Sequence, residues 1–255
     1  MNRPILLLFV ALSLTIGAKA GDSSSEGSTI SVSPFEFEAS YIGDFYCNAT
    51  GGIKTGVGFL GMANLKVGFN TEAAGWWKGG SFFINGASTH GKSPTENFTG
   101  DFQVVSNIDA GDLIYLHELW FHQDFSNINF TIGLQDMNAQ FVASENGSYY
   151  LNSSFGVPPV ISDNVPGPIF PLTGLGLSAS WTPSEKITWS AAIFDGNPTD
   201  FEDNPHNLYW DLNPKELLAI SEIQYACTWA SLPGTYKAGH TFTPAQLTLT
   251  IPPQQ

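Results

Sequence analysis

Arginine is nearly absent from this chain. Arg3 is the sole arginine in 255 residues, and Lys+Arg number 9 against 23 Asp+Glu, a net charge of 9 − 23 = −14. So few cations cannot build the basic surface that nucleic acid requires, and no nucleic-acid partner is expected. Charge of either sign is scarce. Charged residues make up 13% of the chain, against roughly 25% in an ordinary soluble domain. Cysteine is limited to Cys47 and Cys227. That excludes a disulfide scaffold, and the sequence leaves open whether those two pair. A mean hydropathy of −0.01 excludes a bundle of membrane helices. There is no Ser/His/Asp motif and no Gly-rich phosphate loop. An apolar content of 42% is nonetheless too high for a disordered acidic chain.

What is present is glycine (26 residues) and aromatic side chains (13%), a composition suited to an all-β protein. Residues 1–20 read as a secretory signal peptide: Arg3 is the positive start, Ile5 to Gly17 an apolar run too short to span, and Ala18-Lys19-Ala20 a small-x-small cleavage pattern. Without that segment 7 Lys, no Arg and 23 acids remain, a charge of 7 − 23 = −16. Residues 21–32 are a Ser/Gly-rich flexible lead-in.

From residue 33 onward short segments alternate apolar and polar residues between Gly, Pro, Asn and Asp. Ile187, Trp189, Ala191 and Ile193 share one face of 187–194, and Leu175, Leu177, Ala179 and Trp181 share one face of 175–181. The turn 182–186 joins these two as a hairpin. The same period of two marks 129–135, 35–41 and 64–69, then more weakly 80–90, 113–125, 216–226 and 234–239. Two long irregular stretches, 91–110 and 138–173, interrupt the pattern, and loops of that length are often functional. Alternation alone fits a soluble sandwich with its apolar face inward or a membrane barrel with that face on lipid. The charge-poor polar face favours the barrel. So do aromatic residues at segment ends (Phe45-Tyr46, Trp76-Trp77, Tyr149-Tyr150, Trp181), where interfacial girdles sit.

An ordered set of segments from Ala63 to Gly239 resembles the carbohydrate-selective porins of the OprB type. It comprises Ala63-Asn-Leu-Lys-Val-Gly68, Gly79-Gly-Ser-Phe-Phe-Ile-Asn-Gly86, Gly100-Asp-Phe-Gln-Val-Val-Ser-Asn-Ile-Asp109 and Leu116-His-Glu-Leu-Trp-Phe-His-Gln123. It continues with Ile132-Gly-Leu-Gln-Asp136, Phe141, Tyr150-Leu-Asn-Ser-Ser-Phe155, Ile193-Phe-Asp-Gly196 and Leu232-Pro-Gly-Thr-Tyr-Lys-Ala-Gly239. The resemblance implies an antiparallel transmembrane β-barrel in the Gram-negative outer membrane, passing sugars such as glucose by passive diffusion. It implies neither catalysis nor a cofactor. The partners it implies are mono- or oligosaccharides and outer-membrane lipid; homo-oligomerisation is left open. Two departures stand out. The family's constriction uses arginines, which are missing here, and Lys66, Lys92 and Lys78 are the nearby cations. The chain is also about the N-terminal half of a 16-strand-class barrel. The porin region is thus expected over 33–239, with 240–255 an atypical tail lacking a strand and the terminal aromatic, as after a frameshift or premature stop. The rival expectation is a secreted soluble β-sandwich that binds carbohydrate.

Candidate sugar contacts follow from the strand faces. Glu118, Trp120 and His122 share a face of 113–125, and the alternative register places Tyr115 and His117 inside instead. A lipid-facing Glu118 would be costly, which favours the first register. Glu36 and Glu38 share a face of 35–41, and Lys66 follows on the next strand. His117, Glu118, His122 and Asp124 lie close in sequence, but on a regular strand His117 and His122 point to opposite faces, so no metal site is expected. Glu222 and Gln224 also share a face; paired carboxylates spaced for glycoside hydrolysis are not indicated. Loops 91–110 and 138–173 are expected to fold inward and narrow the channel.

Overall fold

The computed structural model describes residues 10–14, 33–144, 146–162, 165 and 167–243. Ten strands form one antiparallel sheet in unbroken chain order. They are β1 (Val10–Leu14), β2 (Phe35–Asn48), β3 (Gly56–Asn70), β4 (Gly80–Gly91) and β5 (Leu113–Phe125), then β6 (Ile128–Gln135), β7 (Gly174–Ser184), β8 (Ile187–Asp195), β9 (Leu217–Trp229) and β10 (Leu232–Phe242). Strands β2–β10 fall on the nine alternating segments. β1 lies within the expected signal segment and pairs along β2, Val10 opposite Phe45 and Leu14 opposite Tyr41. The remainder of residues 1–20 and the lead-in 21–32 lie outside the described residues. At the other end β10 runs to Phe242, across the expected boundary at 239; residues 244–255 are outside the described set. Among the described residues β10 pairs only with β9, so the sheet is open.

The alternation sorts the side chains onto two unlike faces. Phe37, Phe45, Leu65, Ile84, Ile132, Leu177, Ile193 and Ile223 point to a bare face and are exposed. No second sheet covers them among the described residues, as a soluble sandwich would require. On this face aromatic rings gather at the short-turn end. Phe35 meets Phe69 at 4.9 Å, Phe69 meets Trp76 at 5.1 Å, and Phe82 meets Phe121 at 4.8 Å. The belt continues through Phe125–Phe130 and Trp181–Trp189. Trp76, Trp77 and Trp181 thus take girdle positions and Phe45 is outward, but Tyr46 is buried on the opposite face and Tyr149-Tyr150 sits in a loop. For Tyr46 the reason is the strand period itself: it neighbours an outward Phe45, so it must point inward.

The second face is covered by the loops at the other end of the strands. Tyr46, Leu60, Met62, Ala87 and Tyr115 of β2–β5 pack with Phe98 and Ile108 of the segment 92–112. Ala192, Phe194, Leu218 and Ile220 of β8 and β9 pack with Met137 and Phe141 of the segment 136–173. Both long loops therefore fold onto the face bearing the polar residues. A third segment, 196–216, was not singled out in the sequence. It lies beside β5 where β6, eight residues long, falls short: β6 pairs only with Leu119–Phe125. Above that point Leu116 donates its backbone N–H to the His206 carbonyl (3.0 Å), and Asn207 Nδ2 donates to the Leu116 carbonyl (3.2 Å) and to Thr173 Oγ1 (3.0 Å). The segment thus supplies the partners that a neighbouring strand would have given.

Cys47 and Cys227 are free thiols. They lie on β2 and β9, seven places apart in the strand order (9 − 2 = 7).

Asn207 is 1% exposed, so truncating it takes a donor from the Leu116 carbonyl of β5 and from Thr173 Oγ1. Asn207→Ala should lower unfolding stability by about 1–3 kcal/mol, measured by denaturant titration in detergent micelles.

Candidate functional site

Strand register, invisible in the sequence, assembles the loop-covered face into cross-strand rows. Glu38 of β2 pairs with Lys66 of β3, Lys66 with Asn85 of β4, and Asn85 with Glu118 of β5. Lys66 Nζ donates to Glu38 Oε1 at 2.9 Å, a half-exposed ion pair. The next row toward the short turns is Glu36, Gly68, Phe83, Trp120, Gly133 and Gly176. Phe83 and Trp120 stack at 4.7 Å with an interplanar angle of 21°. Trp120 leans on Gly133, where a Cβ would come within 2.7 Å of the Trp120 Cα and where φ is +138°, so glycine is required. Trp120 Nε1 donates to Glu118 Oε1 (3.2 Å), tying the aromatic row to the polar one. A third row holds Ser81, His122, Thr131 and Ser178, with His122 Nδ1 and Thr131 Oγ1 at 2.8 Å.

Glu36, Glu38, Lys66, Glu118, Trp120 and His122 therefore lie on one face and within three adjacent rows. Phe83, Asn85 and Thr131 join them and were missed. Phe83 neighbours Phe82 in sequence, and only the pairing with Trp120 shows which of the two faces inward. The expectation that His117 and His122 oppose each other is overturned. A β-bulge sets Leu116 against Gly86 but Glu118 against Asn85, leaving His117 as an extra residue. The bulge shifts the period by one, so Tyr115 and His117 before it and Glu118, Trp120 and His122 after it share a face. His117 stacks edge-on against Tyr115 at 5.7 Å and Phe170 at 5.9 Å. The two registers proposed from sequence both hold, one on each side of the bulge. Lys92, exposed, sits over the Phe98 ring at 4.9 Å, and Lys78 lies in the β3–β4 turn.

Inward acids anchor the loops. Asp44 Oδ2 accepts from Ser106 Oγ at 2.6 Å. Glu222 Oε2 accepts from the Val142 backbone N–H at 2.9 Å and its Oε1 from Gln224 Nε2 at 2.8 Å. The Tyr46 hydroxyl donates to the Lys92 carbonyl. The loops also bind each other: Asn107 N–H donates to the Leu151 carbonyl at 2.7 Å and Ser153 N–H to the Val104 carbonyl at 3.1 Å. Just beyond β6, Asp136 caps the short helix α1 (Met137–Gln140) by accepting the Asn138 N–H at 2.8 Å. Burial pushes its carboxyl up to about 7, with the nearby Glu118 acting in the same direction.

The sequence profile of the carbohydrate-selective porin, OprB family, matches residues 55–248. A solved high-pH structure of OprB from Pseudomonas putida superimposes with a TM-score of 0.72 at 17% identity, over 82% of this chain and 52% of that one. The chain thus spans about half the length of that solved protein. No curated protein matches the sequence.

Asp136 is protonated more readily folded than unfolded. Its contribution to stability is therefore complete below about pH 4 and is lost as pH rises to about 7. Asp136→Asn keeps the cap and removes the titration. Unfolding midpoints should fall between pH 4 and 7 in the parent chain, and the variant should show a shallower slope.

Proposed function

The chain belongs to the carbohydrate-selective porin, OprB family, and from that premise we propose that it forms the wall of an outer-membrane channel for passive diffusion of sugars. The observation that carries this reading is the segregation of the two sheet faces. A bare apolar face ringed by aromatic residues suits lipid, and the opposite face carries hydroxyl, amide and carboxylate groups around one aromatic stack. Strands β2–β5 and β7–β10 run 9–15 residues, enough for a tilted crossing of the hydrocarbon layer, and the shorter β6 is supplemented by the segment 196–216. The short turns then face the periplasm and the long loops the exterior.

Sugar passage follows from the rows. The Phe83–Trp120 stack offers a flat apolar platform for the C–H face of a pyranose. Glu38, Lys66, Asn85 and Glu118 on one side, and His122 and Thr131 on the other, offer donors and acceptors for ring hydroxyls. Spread contacts of this kind allow entry and release, as conduction requires. In this reading the protein is a transport channel with no catalytic step and no cofactor. Export relies on residues 1–20, and lipid requires that the free side of β10 be paired by further strands.

Chain assembled in liposomes into a closed barrel, with the free side of β10 paired, should admit glucose, read as osmotic swelling. Trp120→Ala should slow glucose entry severalfold while leaving the strands in place. Partition of the unmodified chain into the aqueous phase on detergent extraction, with no swelling, would overturn the reading in favour of a soluble binding protein.

A further inference from the structure

The junction of the two long loops lines a half-open pocket of about 470 Å³ that does not include the residues of the three strand rows. That size lies within the roughly 300–1,000 Å³ range of small-ligand sites. Its lining includes three phenylalanines, Phe102, Phe155 and Phe170, and the polar side chains of Asn107, Asn138 and Asp109. Among the described residues Asp109 is the only ionisable group in the lining, and these residues offer no cationic side chain to an anionic ligand. The walls are built before any ligand arrives. Asn107 Nδ2 donates to the Tyr150 carbonyl at 3.1 Å, and Ser154 Oγ bonds Gln103. Phe155 is held by a stack on Tyr150 at 4.2 Å and 20°. Phe102 is 87% exposed, an apolar ring held at a rim with no core to fill.

The pocket also adjoins the wall. Phe170 lines it and packs on His117, whose Nδ1 is buried without a partner, as is the Tyr115 hydroxyl. His117, two buried polar atoms of the wall and the pocket are thus linked through the Phe170 ring. Aromatic faces interleaved with amides and one carboxylate are the chemistry that recognises a neutral polyhydroxylated ring.

We propose that this loop-junction pocket is a second saccharide site, a capture site at the outer mouth of the channel that holds a neutral mono- or disaccharide before it reaches the Phe83–Trp120 platform. The proposal rests on the porin reading for its place in transport, but its binding chemistry can be tested apart from conduction. Full-length chain in detergent micelles, carrying Trp120→Ala to weaken the strip, is dialysed to equilibrium against radiolabelled maltose. Maltose should bind, Phe102→Ala should weaken binding up to about tenfold, and Phe102→Trp should restore it and respond in fluorescence. Unchanged affinity in Phe102→Ala, or no maltose bound while circular dichroism reports an intact sheet, overturns the pocket. Bilayer conductance on the same preparation separates the two ideas. Conduction with no Phe102 effect refutes the pocket alone. Binding without conduction by a closed barrel refutes the channel and leaves the pocket standing.

Discussion

A backbone amide in hydrocarbon has no solvent to bond, so every strand of a membrane wall must find its partners in other strands or in protein packed beside them. The arrangement of this chain follows from that constraint. Hairpins in unbroken order satisfy each strand with its sequence neighbours. Where β6 is too short to accompany β5, the segment 196–216 delivers carbonyl and amide groups to Leu116. The same constraint gives period two its meaning, because a sheet paired on both sides has only its faces left to distinguish. Hydrophobic residues take the face without loops, and the loops take the face with polar residues.

Loops laid on a polar wall face a second difficulty, the cost of burying carboxylates. Asp44 and Glu222 meet it by receiving hydrogen bonds from the loops themselves, through Ser106 and Val142. Each loop is thus held by polar ties to the strands, Asp44 and Tyr46 on one and Glu222 on the other, and by one apolar cluster. The polar ties fix register and the cluster supplies most of the free energy of docking. Asp136 stands apart. It caps α1, and burial beside Glu118 makes its charged form costly, which leaves this joint sensitive to pH near neutrality.

How much of this was legible in the sequence depends on whether a feature is local. Strands β2–β10 were readable because alternation is a property of adjacent residues. So was the inward folding of two loops, since their length marked them. The segment 196–216 was passed over because its role is to complete a partner far away in the chain. The bulge at His117 was invisible for the same reason: nothing in Leu116-His-Glu118 signals an extra residue until β4 is set against it. The site shows both limits. Trp120 and Glu118 could be chosen from their strand, but Phe83 and Asn85 acquire significance only through register.

The lack of arginine can now be placed. An arginine fork would give a sugar two rigid donors at one point. This wall instead pairs its one inward lysine of the central rows with Glu38 and leaves recognition to an indole–phenyl stack, amides, hydroxyls and an imidazole. Lys66 engaged by a carboxylate presents a muted charge, and the neighbouring row holds no cation at all. Such a surface gains little from binding an anion and loses little by releasing a neutral sugar. In the proposed channel, where a ligand that binds too well would stop the flow, that weakness would favour passage. On the same proposal prior capture gains value: a wall with shallow wells would pass more sugar if the local concentration at its entrance were raised, and the pocket at the loop junction is where this chain has room for it.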